Sequence, residues 1–155
     1  MLRCPLRLQC SREADHGRGE GPPGVGVRSP PEDIAAITRS SVDYIESWYT
    51  ADAERMRQCL HPDLAKRTVK RDPGTATWVL RHTDAKMLVT YTQDGHGTET
   101  PVVDRTYRVS ILDVFRNTAS VKVVSHPFVD YLHLARFNDR WLIVNALWEP
   151  RQPEA

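Results

Sequence analysis

Apolar positions along this chain recur first at helical and then at strand spacing, so helices precede a sheet. Ile34, Ile37, Ser41, Tyr44, Ile45 and Trp48 keep the three-and-four rhythm of one helical face. Ser29 fits as the N-cap of that helix and Pro30 as N1, where its missing donor costs nothing, and Glu32 completes a capping box. A second helix is expected over Ala53 to Leu60. Asp52 caps it, Met56, Cys59 and Leu60 form its buried side, and Pro62 ends it. Leu64 to Lys70 and Thr77 to Arg81 then read as short strands about the turn Asp72-Pro73-Gly74. Thr83 is placed as the cap of a third short helix with Met87, Leu88 and Tyr91 on one side, and a Gly-rich polar loop follows from Gln93 to Thr100.

From Val102 to Trp148 the pattern is that of four strands with hairpin-length connections. In the first, Val103, Tyr107, Val109, Ile111 and Phe115 share one face, with Asp104, Thr106, Arg108 and Ser110 on the other. Asn117-Thr118 turns the chain into the second, Ala119 to His126, and Pro127 marks an edge or bulge before the third, Phe128 to Phe137. Asn138-Asp139 tolerates positive φ and sits at two-residue hairpin spacing before the fourth, Trp141 to Trp148. Helices followed by an antiparallel meander predict an α+β fold with the helices on one face of the sheet.

At 155 residues, 40% hydrophobic and 26% charged, the chain has the size and composition of one domain with one core. The expected organisation is a disordered N-terminal extension over 1–28, rich in Arg, Gly and Pro, a folded domain over 29–150 and a flexible tail over 151–155. In the first segment Leu6-Arg7-Leu8-Gln9 interrupts any apolar run of the kind a signal peptide needs. A formal charge of +1 without Lys or Arg runs argues against a nucleic-acid partner. No stretch approaches the roughly 20 apolar residues that cross a bilayer. Cys4, Cys10 and Cys59 are too few and scattered for a disulfide framework or a zinc site, which suits the cytoplasm. No metal triad is expected, because the histidines lack close pairings at ligand spacing, and no cofactor is expected.

Several separated blocks occur in order: Tyr44-Ile45-Glu46-Ser47-Trp48-Tyr49, Asp52-Ala53-Glu54-Arg55-Met56, Leu60 to Arg67, Ala119-Ser120-Val121-Lys122-Val123, and the hairpin Asp130 to Trp148. Together they resemble the putative lumazine-binding proteins of the nuclear transport factor 2-like (SnoaL-like) superfamily, roughly over residues 33–149. The resemblance implies a conical α+β fold of three N-terminal helices packed on a curved, mainly antiparallel sheet that encloses a pocket, commonly in a homodimer. It also implies enzymes as relatives: epoxide hydrolases, polyketide cyclases and ketosteroid isomerases of this fold use carboxylates, tyrosines or histidines in an apolar cavity. In an ungapped comparison with the isomerases, Tyr44 falls at their oxyanion-hole tyrosine and Thr68 at their aspartate base, so a base is missing there.

Each polar candidate has a structural reading beside the chemical one. Tyr44 is a donor to a developing oxyanion or a helix-face tyrosine bonded to a neighbour. His61, beside Asp63 in His61-Pro62-Asp63, is an oriented base or a residue at the end of the second helix. Asp130 shares a face with Leu132 and Leu134, so it is a rim residue or a carboxylate kept in the pocket, and His133, three residues on, points to the opposite face. In the last strand, alternation sets Trp141, Ile143, Asn145 and Leu147 on one face and Leu142, Val144, Ala146 and Trp148 on the other. Asn145 is the polar residue of that run, able to bond a heterocycle or a neighbouring strand.

Trp48, Trp78, Trp141 and Trp148 offer stacking surfaces or plain core packing. The primary expectation is a pocket protein for a small apolar or heterocyclic ligand, contacted by Tyr44, Trp48, Asp130, His133, Asn145 and Trp148. An alternative is a small enzyme of the polyketide cyclase, hydrolase or isomerase type, with Tyr44, His61 or Asp130 as its acid-base groups. A second alternative is a dimerisation module.

Overall fold

The computed structural model describes residues 30–151. The expectations for 1–28 and for residues 152–155 lie outside these, as does Ser29. The element order is α1 (Pro31–Thr50), α2 (Ala53–Cys59), β1 (Leu60–Arg71), β2 (Trp78–Thr83), α3 (Ala85–Gln93), two short 3₁₀ turns (His96–Glu99 and Val102–Asp104), β3 (Tyr107–Phe115), β4 (Thr118–Ser125), β5 (Phe128–Phe137) and β6 (Arg140–Pro150). The strands form one mixed, curved sheet in the order β2-β1-β6-β5-β4-β3, antiparallel throughout except where β1 runs parallel to β6. The expected four-stranded meander is β3 to β6, and the two short strands before α3 join it to make a six-stranded sheet. Among the described residues no helix is long and apolar enough to cross a membrane.

Helix α1 starts one residue later than the capping box predicts. Pro31 takes the first turn and Pro30 stands at the N-cap without a side-chain cap. Its inward stripe also differs by one position. Ile34 is exposed, while Asp33 is buried because its carboxylate accepts the Trp141 indole N–H at 2.9 Å and faces Arg136 at 3.3 Å. Ser40 Oγ donates to the Trp141 carbonyl at 2.6 Å, so α1 is pinned along β6. Ala51 ends the helix in the left-handed region, φ 57, and Asp52 then caps α2 by accepting from the Arg55 N–H at 2.9 Å. The cap of α3 is Asp84, not Thr83. Its carboxylate accepts from Met87 N–H at 2.8 Å, while Thr83 ends β2. Leu88, Val89 and Thr92 form the buried side of α3, and Met87 and Tyr91 stay partly exposed.

The core lies between α1, α2 and the concave face of the sheet, where Ile37, Ile45, Met56, Val121, Val123, Leu132, Leu134 and Ile143 are fully buried. Three irregularities curve the sheet and decide which side chains turn inward. On β1 the register shifts between Leu60 and Ala65, around His61-Pro62-Asp63. On β3 Leu112 is the extra residue between Ile111 and Asp113, which turns Phe115 outward instead of keeping it on the face of Ile111. On β6 His133 pairs with Asn145 and Leu134 with Ile143, leaving Val144 unpaired. This last bulge reverses the expected parity: Trp141, Ile143 and Ala146 are buried inside, whereas Leu147 and Asn145 go to the outer face. The β3–β4 turn is Arg116-Asn117, one residue before the expected pair, and the β5–β6 hairpin turns at Asn138-Asp139 with φ 54 at Asn138.

Candidate functional site

The strand alternation of β1 places Leu64, Lys66 and Thr68 on the concave side, each buried. The β5 alternation does the same for Asp130, Leu132 and Leu134. Because Lys66 registers with Ala146, Ala146 with Leu132, and Asp130 with Trp148, the lysine and the aspartate reach each other across β6. Tyr44 comes down from α1 to meet them. The Lys66 ammonium donates to Asp130 Oδ1 at 2.7 Å, the Tyr44 hydroxyl donates to the same oxygen at 2.9 Å, and Lys66 also donates to the Tyr44 oxygen. Asp130 is 1% exposed and Lys66 9%.

This closed trio stands at the wall of a cavity of about 460 Å³. Ile45, Met56 and Leu88 supply apolar floor, Trp48, Phe128 and Trp148 an aromatic side, and Thr68, Lys70, Arg81 and Thr83 a polar side. Phe128 packs edge-on against both Trp148 at 5.0 Å and Trp48 at 6.4 Å between ring centroids. The Lys66 ammonium lies 4.8 Å from the Trp148 ring centroid and 5.2 Å from that of Tyr44, so its charge is met by π faces as well as by Asp130. Tyr91 and His96, ring centroids 5.4 Å apart, and Glu99 complete the lining from α3 and the 3₁₀ turn after it.

Burial sets the electrostatics of the trio. Desolvation, then the negative charge of Asp130, pushes the Tyr44 phenol well above its ordinary value, so it stays protonated as a donor. Desolvation also pulls the Lys66 ammonium below its ordinary value, and the opposing attraction of Asp130 limits that fall. Both bonds to Asp130 arrive at Oδ1, and no described side chain bonds Oδ2. Thr68 Oγ1 is buried among the described residues without a hydrogen-bond partner. Cys59 lies outside the cavity lining, and burial raises its thiol to about 12.

Of the sequence candidates, Tyr44, Trp48, Asp130 and Trp148 line the cavity together. His133 and Asn145 do not reach it. The bulge at Val144 carries Asn145 to the outer face, where its amide meets His133 Nδ1 at 3.1 Å and its oxygen accepts from Arg67 at 3.0 Å. His61 is also elsewhere: it belongs to β1 rather than to the end of α2, because the chain turns extended at Leu60, and its ring stacks on Phe137 at 4.5 Å. Its Nδ1 accepts from Asp63 N–H at 3.1 Å. Trp78 is exposed on β2, and Trp141 is a core residue bonded to Asp33.

Lys66, Lys70, Arg81 and Phe128 were not singled out from sequence. The available signal was parity, since Lys66 and Thr68 alternate in step with Leu64. Thr68 and Asp130 line the same cavity, so its carboxylate comes from β5 and not from position 68. Among the described residues no three His, Cys, Asp or Glu side chains cluster as a metal site would require.

The curved α+β cone built on this mixed sheet is the fold of nuclear transport factor 2-like proteins. Solved structures agree on the fold. A nuclear transport factor 2-like protein of unknown function from Methylobacillus flagellatus superposes with a TM-score of 0.60 at 19% identity, over 81% of this chain and 98% of that one. Another from Silicibacter pomeroyi gives 0.59 at 17% identity, over 77% and 97%. A cystatin-like fold protein from Burkholderia xenovorans gives 0.53 at 18% identity, over 79% and 95%. No curated protein matches the chain. The sequence model of the family described as "putative lumazine-binding" matches residues 32–149, and the chain belongs to that family.

Proposed function

We propose that this protein binds a small planar ligand in the cavity between α1, α3 and the sheet. The observation that carries this reading is the buried Tyr44–Lys66–Asp130 trio at the wall of an aromatic-sided space. An ion pair taken out of water is costly, and apolar side chains of the same volume would hold this part of the core at least as well. Charge kept at a cavity wall is better suited to recognition than to packing. Asp130 Oδ2 offers an acceptor for a ring N–H, the trio fixes its orientation, and Trp48, Phe128 and Trp148 offer apolar ring surface. A heterocycle of the lumazine kind, which the family description names, has that combination of plane and donors.

A second reading is an acid-base enzyme of the cyclase, hydrolase or isomerase type. What favours it is the convergence of Tyr44 and Asp130 at 2.9 Å on the cavity wall, a phenol donor beside a carboxylate. The two readings share a pocket and differ in whether the ligand leaves changed. The outer sheet face, where Val69, Tyr131 and Leu147 are exposed, is the surface we assign to a homodimer contact.

Native mass spectrometry of protein purified from its own host tests the set. Retention of a small molecule that is lost in Trp148→Ala supports the pocket reading, and a doubled subunit mass supports the dimer. No retained molecule, together with no binding of lumazine or other heterocycles added at millimolar concentration, would overturn the pocket reading. Conversion of a bound compound, lost in Asp130→Asn, would favour the enzyme.

A further inference from the structure

We infer that the ligand carries an anionic group, and that β1 and β2 bind it. This inference rests on the pocket reading above and specifies its ligand class as a planar aromatic acid. In β1, Lys66, Thr68 and Lys70 share one parity, and in the antiparallel partner β2 Thr83 pairs with Lys66 and Arg81 with Thr68. All five side chains line the cavity. They bring two hydroxyls and three cations together on the β1–β2 wall of the cavity that Trp48 and Phe128 also line.

Charge bookkeeping within this patch leaves it positive. Asp130 neutralises Lys66 at 2.7 Å. Arg81 shares Asp72 at 3.4 Å in an exposed pair, which screening weakens. Among the described residues no carboxylate pairs with Lys70, whose ammonium is instead 5.7 Å from the Trp148 ring centroid. Glu99, the other carboxylate of the lining, is exposed and belongs to the 3₁₀ turn after α3, and it forms no ion pair with Lys66, Lys70 or Arg81 among the described residues.

Thr68 locates the anion. Thr68 is 4% exposed, its hydroxyl reaches no partner among the described residues, and it lies between Lys66 and Lys70 on β1. A buried hydroxyl left unbonded costs about 1–3 kcal/mol, so its natural partner is an acceptor brought in by the ligand. An oxyanion accepting from Thr68 Oγ1 and meeting Lys70 and Arg81 would seat its ring against the aromatic side.

The test compares two fluorescent probes with nearly the same rings, anilinonaphthalene sulfonate and the uncharged phenylnaphthylamine. Wild-type protein is expected to bind the sulfonate about tenfold or more tightly, a step of about 1.4 kcal/mol. Thr68→Val, Lys70→Gln and Arg81→Gln should each weaken the sulfonate several-fold and leave the neutral probe unchanged, with folding verified by circular dichroism. Thr68 is buried and lines the cavity, so its effect separates this site from adsorption on the outer face. Equal affinity for the two probes, or a sulfonate preference indifferent to all three substitutions, would overturn the anion site while leaving a pocket in place. Binding of neither probe would instead remove the pocket reading on which it rests.

Discussion

Tyr44 and Asp130 stand 86 positions apart in the chain, yet the phenol of one donates to the carboxylate of the other at 2.9 Å inside the cavity. The contact joins α1 to β5, and Lys66 of β1 closes it from a third element. The trio therefore reports on the docking of the helix against the sheet as well as on the chemistry of the pocket.

Removing one member should show how expensive its charge is. Asp130→Leu leaves the Lys66 ammonium buried with only π faces and a phenol oxygen, and a loss of about 3–5 kcal/mol of stability is expected in urea denaturation. The double substitution Asp130→Leu with Lys66→Met takes away both charges. It should recover most of that loss, giving a coupling well above 1 kcal/mol in the cycle. Additive losses would show that the pair is already solvated through the cavity.

Thr68 makes a prediction of the opposite sign. Its hydroxyl has no partner in the described structure, and valine has nearly the same shape. Thr68→Val should raise stability by about 1 kcal/mol in the ligand-free protein, because an orphaned polar group is removed at little cost in volume. The same change should weaken the anionic probe. A gain in stability paired with a loss of binding is expected of a binding residue and not of a packing one.

Much of the architecture was legible because it follows from periodicity. The three helices and the later strands announce themselves through Ile37, Tyr44 and Ile45 at helical spacing and through Val121, Val123, Leu132 and Leu134 at strand spacing. Asp130 was legible as a carboxylate on a leucine face. What stayed hidden depends on events that leave no local mark. The bulge at Val144 falls in a run without Gly or Pro, so simple alternation sends Asn145 inward and Trp148 outward, the reverse of what the register produces. Asp33 looks like an ordinary first-turn acid, and only the distant indole of Trp141 explains its burial. Lys66 leaves no local mark either, because its partners Tyr44 and Asp130 lie on two other elements.

Substitutions on the two faces of β6 should separate cleanly. Trp148 lines the cavity, while Asn145 bonds His133 and Arg67 on the outer side. Trp148→Ala should lower affinity for a planar probe by tenfold or more and quench the probe-induced change in fluorescence. Asn145→Ala should leave affinity within about twofold and cost about 1 kcal/mol of stability through its lost side-chain bonds. An Asn145 effect on binding equal to that of Trp148 would contradict the bulge.

Gly97 lets the 3₁₀ turn pack directly on the backbone of α1. A Cβ placed there would lie 1.9 Å from the Trp48 carbonyl oxygen, and backbone cannot yield as a side chain can. Gly97→Ala should therefore push the His96–Glu99 turn off α1, at a cost of about 1–3 kcal/mol. Trp48 is on the cavity side of this contact, so its fluorescence should shift, and probe affinity should fall with it.

The pH dependence of stability should carry two limbs traceable to one contact. Tyr107 donates to Glu46, and that bond, ahead of the Arg55 contact, holds the Glu46 carboxyl below its ordinary range while pushing the Tyr107 phenol up to about 12. A lowered carboxyl binds fewer protons when folded than when unfolded. Its contribution is present above the ordinary carboxylate range and is lost as pH falls through the lowered value. A raised phenol has the reverse sign: its contribution is complete below about pH 10, the ordinary tyrosine value, and is lost as pH rises towards about 12. Both groups are more than a third exposed or nearly so, which holds each limb to less than about 1 kcal/mol. The buried Tyr44 and Lys66 also act at alkaline pH, in opposite directions, so the informative quantity is the difference between wild type and Glu46→Gln. That difference should shrink at both extremes and be largest between pH 6 and pH 9, read from urea midpoints across the range. A difference independent of pH would mean that Glu46 contributes by packing rather than through its charge.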